Sequence, residues 1–220
     1  MGNIVRWFED FPRRALDLLP VMKAIAAERD RVGSLSLLIA PALIVAPYER
    51  LQTHARRKNP QDDYLRFPDA HQQFNSVMDS PFRDAEFWDP STKKSVMDWR
   101  GGQVARITND PAGWETHGGH KPWQAEFWTV EVSVQQTRWV WKFLRDALSH
   151  WNVATADRLH RSFDEDGTMQ RLLFYRARDD KGPWDIVSVS PEAFFAFLEA
   201  WTAFLSQGLA SKLLAESEAA

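Results

Sequence analysis

Arg145, Asp146 and His150 are the residues whose types and spacing most invite chemistry. They lie in residues 139–152, WVWKFLRDALSHWN, an amphipathic stretch that ends in this polar cluster among aromatics. A histidine titrates near neutrality, so it can take or give a proton in acid–base work. In the last turn of a helix it also feels the negative end of the helix dipole, which favours its protonated form. The spacing alone carries little weight, because Arg66 and His71 repeat it. That second pair straddles Pro68 in a loop-like region where no helix fixes its geometry. The pair at 145 and 150 sits on the best-patterned helix in the chain, with apolar positions at 139, 140, 143, 144, 147, 148 and 151.

Helix geometry makes the cluster demanding. Five residues at roughly 100° each set Arg145 and His150 about 140° apart around the axis. They converge only if the helix ends near His150 or if a second copy of the helix packs against the first. Trp151-Asn152 suits such an ending, since Asn tolerates a left-handed cap. The same residues would also furnish a plain helix end, with a solvated arginine and a capping histidine, and the spacing leaves both readings open.

The elements around this stretch read as mostly helical. Residues 4–31 form a helix with Pro12 and Pro20 as kinks or boundaries. A second helix runs from 34 to about 57, bent at Pro41 and Pro47. Residues 53–69 are charged and hold two prolines, so they read as a loop or insertion. Their Arg56, Arg57 and Lys58 suit either phosphate contact or a solvated helix end. Short helices are expected at 70–78 and 92–99. Turns are expected at Trp99-Arg-Gly-Gly and Asn109-Asp-Pro-Ala-Gly.

A Gly/Pro-rich loop at 108–123 carries His117 and His120. The Gly-Gly between them gives no rigid face and no third ligand stands beside them, so no metal site is expected. The motif helix is expected to start between 124 and 134, although Val130, Val132 and Val134 alternate as in a strand. After a polar run to Gly167, QRLLFYR (170–176) and WDIVSV (184–189) read as a β-hairpin. Ser190-Pro191-Glu192 is a sharp helix start with N-cap, N1 proline and first-turn acid. The expectation is one domain over 1–210 with a frayed tail at 211–220.

Composition limits the function classes. The 220 residues can bury a sizeable core, and 44% are hydrophobic. No cysteine is present, which excludes disulfides and thiolate metal sites and fits a reducing compartment. The net charge is −3, so any nucleic-acid contact must be local rather than spread over a basic surface. The beginning of the chain lacks the basic and long apolar regions of a signal peptide. Met-Gly-Asn opens like a myristoylation signal, but Arg6 stands where Ser or Thr is wanted. The most apolar segment, residues 35–45, is interrupted by Pro41 and falls short of the roughly 20 residues that span a bilayer. A soluble, cytoplasmic protein without a membrane partner is expected.

LRDALSHWN resembles the signature of the HEPN superfamily, the higher eukaryote and prokaryote nucleotide-binding domains. That signature is an arginine, a polar residue, three more residues and a histidine, near the end of a long helix. Arg145, Asp146 and His150 match it position for position. SLSLLIAPALIVAPYERL also resembles the second helix of stand-alone bacterial HEPN proteins, and SPEAFFAFLEAWTAFL resembles a closing helix. The resemblance implies a mainly α fold, a HEPN-like helical bundle with a small β-hairpin between the motif helix and the last helix. It also implies metal-independent cleavage of RNA, without cofactor, at a groove between two protomers of a homodimer. His150 would then activate the ribose 2′-hydroxyl or protonate the leaving 5′-oxygen. Arg145 would hold the scissile phosphate, since a guanidinium matches its geometry. Asp146 would orient one of the two. A toxin or phage-defence role with an antitoxin protein as partner would follow, and so would the alternative of a non-catalytic RNA-, nucleotide- or protein-binding module.

Overall fold

A five-stranded antiparallel sheet runs through the middle of the molecule, in the order β2-β1-β5-β4-β3. The computed structural model describes residues 4–51, 68–157, 169–177 and 183–219. The strands are β1 (Arg100–Val104), β2 (Val130–Glu131), β3 (Val153–Ala156), β4 (Arg171–Ala177) and β5 (Trp184–Val189). The fold is therefore α+β, and the expected mainly helical HEPN-like bundle is overturned. The hairpin strands β4 and β5 are present and pair, but as the middle of a sheet rather than as a small addition to a bundle.

The sheet grows on both sides of that hairpin through strands with weak local signals. β1 is RGGQV, whose two glycines read as a turn. They are required by close approach instead. A Cβ at Gly101 would lie 2.8 Å from the Val130 Cβ, and one at Gly102 would lie 2.7 Å from the Phe127 carbonyl oxygen. β3 is only four residues long and pairs Val153 with Phe174 and Ala154 with Leu173.

Helices cover one face of the sheet. They are α1 (Ile4–Glu28), α2 (Val32–Ala40), α3 (Ala46–Leu51), α4 (Pro68–Asp79), α5 (Thr137–Ser149), α6 (Pro191–Ala203) and α7 (Ala210–Ala219). α1 runs through both Pro12 and Pro20. A wide π turn at Pro41–Val45 joins α2 to α3, and another at Phe204–Leu209 joins α6 to α7. Pro47 has no N–H to give the Leu43 carbonyl one turn back. The Trp201 indole N–H donates to that carbonyl instead, at 2.8 Å, which lets the bent helix stay buried. α6 starts as its sequence suggests, with the Ser190 hydroxyl accepting the Ala193 N–H. α7 carries the helical path on to Ala219. α5 begins at Thr137, later than the expected 124–134, because Val130–Glu131 pairs with β1 and Val132–Val134 is a single 3₁₀ turn.

Each central strand is buried on both faces. Leu172, Phe174, Val187 and Val189 join the main core under α5 and α6. Leu173 and Ile186 pack on the other face with Val104, Trp114, Phe127 and Ala156. The motif helix α5 is pinned by Trp141, whose ring lies 4.5 Å from Trp201 and 4.7 Å from Phe197. Large aromatic pairs of this kind dominate core energetics, and truncating one to Ala costs about 3–5 kcal/mol. Two helical stretches, Val32–Glu49 and Pro191–Lys212, are long and apolar enough to be weighed as membrane-crossing. The second is 67% buried within the fold, as a core helix is.

Candidate active site at the end of the motif helix

The two ends of α5 are fixed by different devices. At the start, Gln136 gives no side-chain cap. The Thr137 N–H and hydroxyl both donate to the Ser80 carbonyl, at 2.9 and 3.0 Å. Arg138 donates to Asp79 Oδ1 from Nε (3.1 Å) and Nη2 (2.9 Å), and from Nη2 to Asn75 Oδ1 (3.2 Å). The end of α4 therefore sets where α5 begins.

At the other end the helix closes with a Schellman motif. The Asn152 N–H donates to the Ala147 carbonyl (2.8 Å) and the Trp151 N–H to the Leu148 carbonyl (3.2 Å). Its left-handed position is held by Trp151, with φ 55°, rather than by the Asn152 that the sequence suggested. A bulky residue there is strained, at a cost of roughly 1–2 kcal/mol. Trp151 is nonetheless 59% exposed, so packing does not explain its place.

Arg145 stands on one flank of the exposed stripe of α5. Its Nε donates to Glu49 Oε1 at 2.6 Å and its Nη1 to Asp146 Oδ1 at 2.7 Å. The hydrogen bonds it donates to Asp146, and then to Glu49, raise the guanidinium pKa above its ordinary value, so the charge is permanent. Its Nη2 bonds no described residue. Asp146 Oδ2 in turn accepts from Arg176 Nη1 on β4, at 3.3 Å. The Arg176 guanidinium lies 5.1 Å from the Phe143 ring and 5.8 Å from Trp139. Glu49, Arg145, Asp146 and Arg176 thus form a line of alternating charge across the helix. Tyr48 is fully buried beneath it. Burial pushes its phenol pKa up, while the nearby Arg138 and Arg145 charges pull it down.

His150 is the cap of α5, exposed, and its ring hydrogen-bonds no described residue. It follows Lys142 and Asp146 at four-residue steps, so the three share one side of the helix, about 6 Å apart per step. The structure joins Arg145 to Asp146 and leaves His150 on the opposite flank from Arg145. Early termination of the helix does not close the angular gap, because His150 itself keeps φ −102° and ψ 2°.

Sequence reasoning missed Glu49, Lys142, Trp139 and Arg176. For Arg176 a signal existed: in RLLFYRA it shares strand parity with Leu172 and Phe174, which face the helices. The other candidates raised by the sequence fare differently. Arg66, half of the second Arg/His pair, and the triplet Arg56, Arg57 and Lys58 lie outside the described residues. His71 is a core residue on α4, 4% exposed, whose pKa burial pushes down to about 4. His117 and His120 flank a tight turn in which Thr116 and His120 bond each other. Among the described residues no three His, Asp or Glu gather as a metal-ligand set. No protein family, no curated protein and no solved structure matches the chain.

Proposed function

We propose that the chain is a metal-independent endoribonuclease of the HEPN kind, acting in the cytoplasm from an α+β scaffold. The observation that carries this reading is Arg145. Two carboxylates hold its guanidinium in one pose at a surface, and its Nη2 edge is turned to no described residue. A pre-aimed guanidinium costs little to reorganise when it meets a phosphate. Exposed His150 stands one turn beyond Asp146. In the reaction the ribose 2′-oxygen attacks phosphorus and the bond to the 5′-oxygen breaks. The 2′-hydroxyl proton passes to a base, and an acid protonates the departing 5′-oxygen. His150 fills one of these roles.

Arg145 and His150 occupy opposite flanks of α5, so a complete site takes Arg145 from one protomer and His150 from a second copy in a homodimer. The net charge of −3 is compatible with this, because the phosphate contact is local. A toxin or phage-defence component restrained by an antitoxin protein is the setting we favour. A second reading is a module that binds RNA without cutting it. It is favoured by the placement of His150 on the opposite flank from Arg145, which leaves one protomer a phosphate-binding arginine without the histidine beside it. Incubating the purified chain with RNA in the presence of a chelator separates the two. Fragments ending in 2′,3′-cyclic phosphate support the nuclease, and a gel shift with intact RNA supports the binding module.

A further inference from the structure

Between α5 and the sheet lies a cleft of about 440 Å³, lined by Trp139, Lys142, Asp146, Arg176, Ala177 and Asp185. Its two walls come from different layers. Trp139, Lys142 and Asp146 are spaced three and four apart, so they share one face of the helix. Arg176 and Asp185 are directly opposite each other on β4 and β5, and Gln103 stands opposite Asp185 on β1. Gln103 Nε2 donates to Asp185 Oδ1 at 3.1 Å, which helps fix the carboxylate at the floor of the cleft.

The charges are arranged by depth. Asp185 is buried, 5% exposed. Lys142 is exposed and forms no hydrogen bond or ion pair with any described residue, so its ammonium is available to a ligand. Arg176 spends one bond on Asp146 and rests against Trp139 and Phe143, which restrains it without using its remaining N–H groups. Trp139 and Phe143 are stacked, 5.4 Å apart and 28° from parallel, and form one aromatic wall. Two cations beside an aromatic wall is the combination that binds single-stranded nucleic acid: charge for the backbone, a ring face for a base. The volume falls within the roughly 300–1,000 Å³ of small-ligand sites.

We propose that this cleft is a nucleotide subsite. One nucleotide of a single-stranded RNA lays its phosphate against Lys142 and Arg176 and its base against Trp139. The next stretch of the strand runs along α5 past Asp146 to His150, two turns from Lys142. The proposal rests on the ribonuclease reading for the identity of the strand, and it adds the residues that hold the strand beside the reacting phosphate.

The test is binding of a fluorescent, mixed-sequence 2′-O-methyl RNA, which cannot be cleaved, followed by anisotropy at several salt concentrations. Lys142→Ala is expected to weaken binding about tenfold and to lower the slope of log Kd on log salt by about 0.7, the share of one single-strand phosphate. Trp139→Leu is expected to weaken binding about tenfold with the slope unchanged. Lys142 has no partner among the described residues, so its removal leaves the fold intact and keeps the test open if the Trp139 variant misfolds. Adenosine 5′-monophosphate is expected to displace the probe better than inorganic phosphate does. Lys142→Ala binding like wild type, a folded Trp139→Leu binding like wild type, or equal competition by phosphate alone would each overturn the subsite. Because the probe is inert, the two readings fail separately. RNA that binds through Lys142 but is never cut sinks the nuclease and leaves the subsite. Cutting with Lys142→Ala binding unchanged does the reverse.

Discussion

Arg176 on β4 reaches across the gap between the sheet and the helix layer to Asp146 on α5, with Nη1 3.3 Å from Oδ2. Asp146 is thereby shared between two guanidiniums, since its Oδ1 accepts from Arg145. The sheet thus holds a residue of the motif helix in place, and through it the arginine proposed to meet phosphate. Both partners are largely covered, at 17% and 24% side-chain exposure, so solvent screens the contact less than it would a surface pair. A double-mutant cycle of Arg176→Met and Asp146→Asn, read by urea denaturation, is expected to give a coupling of about 1–2 kcal/mol. Strict additivity would mean that the contact does not hold the layers together.

Glu49 competes with any phosphate for Arg145. Its bond to Nε is short, but both side chains are about one-third exposed, so the pair contributes modestly. Glu49→Gln is expected to tighten RNA binding by about threefold while leaving the fold stable to within roughly 0.5 kcal/mol. Weaker RNA binding in this variant would show that Glu49 positions Arg145 more than it occupies it.

Arg171 is expected to matter for stability alone. It is 7% exposed, and burial lowers its pKa against the pull of Asp98. It donates to Asp98 Oδ1 (2.7 Å), to the Asp98 carbonyl (3.0 Å) and to the Ser188 hydroxyl (2.9 Å). Asp98 Oδ2 in turn accepts the Ser190 N–H that leads into α6. Arg171→Ala leaves Asp98 without its cation and should cost about 3–5 kcal/mol in a thermal or urea melt. A loss below 1 kcal/mol would contradict this account of the clamp.

His71 gives the fold an acid sensitivity. Its native pKa of about 4 lies below the unfolded value of 6.5, so between those pH values the unfolded chain binds more protons. Stability is therefore whole above pH 6.5 and lost as pH falls toward 4. This group alone accounts for a drop of about 3 kcal/mol. His71→Leu should flatten that part of the pH–stability curve relative to wild type. Parallel curves for the two proteins would contradict the burial of a neutral ring.

Trp151 pays conformational strain at the helix end beside His150. Trp151→Gly should stabilise the fold by about 1 kcal/mol. If the exposed indole serves the substrate strand, the same variant should raise KM for RNA. A stabler protein with unchanged kinetics would show that the strain has no functional use.

The parts of this molecule legible in its sequence are those whose signals are local. The Ser190 cap, the alternating strands of QRLLFYR and WDIVSV, and the apolar face of α5 depend on neighbours within a turn or two. The sheet that carries them was not legible. β1 hides behind two glycines whose purpose is the approach of Val130 and Phe127, residues some thirty positions away. The site was readable in the same proportion. Arg145, Asp146 and His150 stand out as candidates because they lie together on the best-patterned helix, whereas Glu49, nearly a hundred residues distant, and Arg176, on a strand, reach the cluster only through the tertiary fold. The helix C-cap was misassigned because left-handed preference favours Asn152, and the backbone hydrogen bonds put the strained residue at Trp151 instead.

The central claim is that Arg145 and His150 cut RNA without metal. The direct measurement is end-group analysis of single-stranded RNA incubated in chelator with wild type, Arg145→Ala and His150→Ala, each first shown to melt like wild type. The account predicts 2′,3′-cyclic phosphate and 5′-hydroxyl ends from wild type, and at least a hundredfold loss of rate in both variants. Cleavage that persists in His150→Ala, or that vanishes in chelator with wild type, would contradict it.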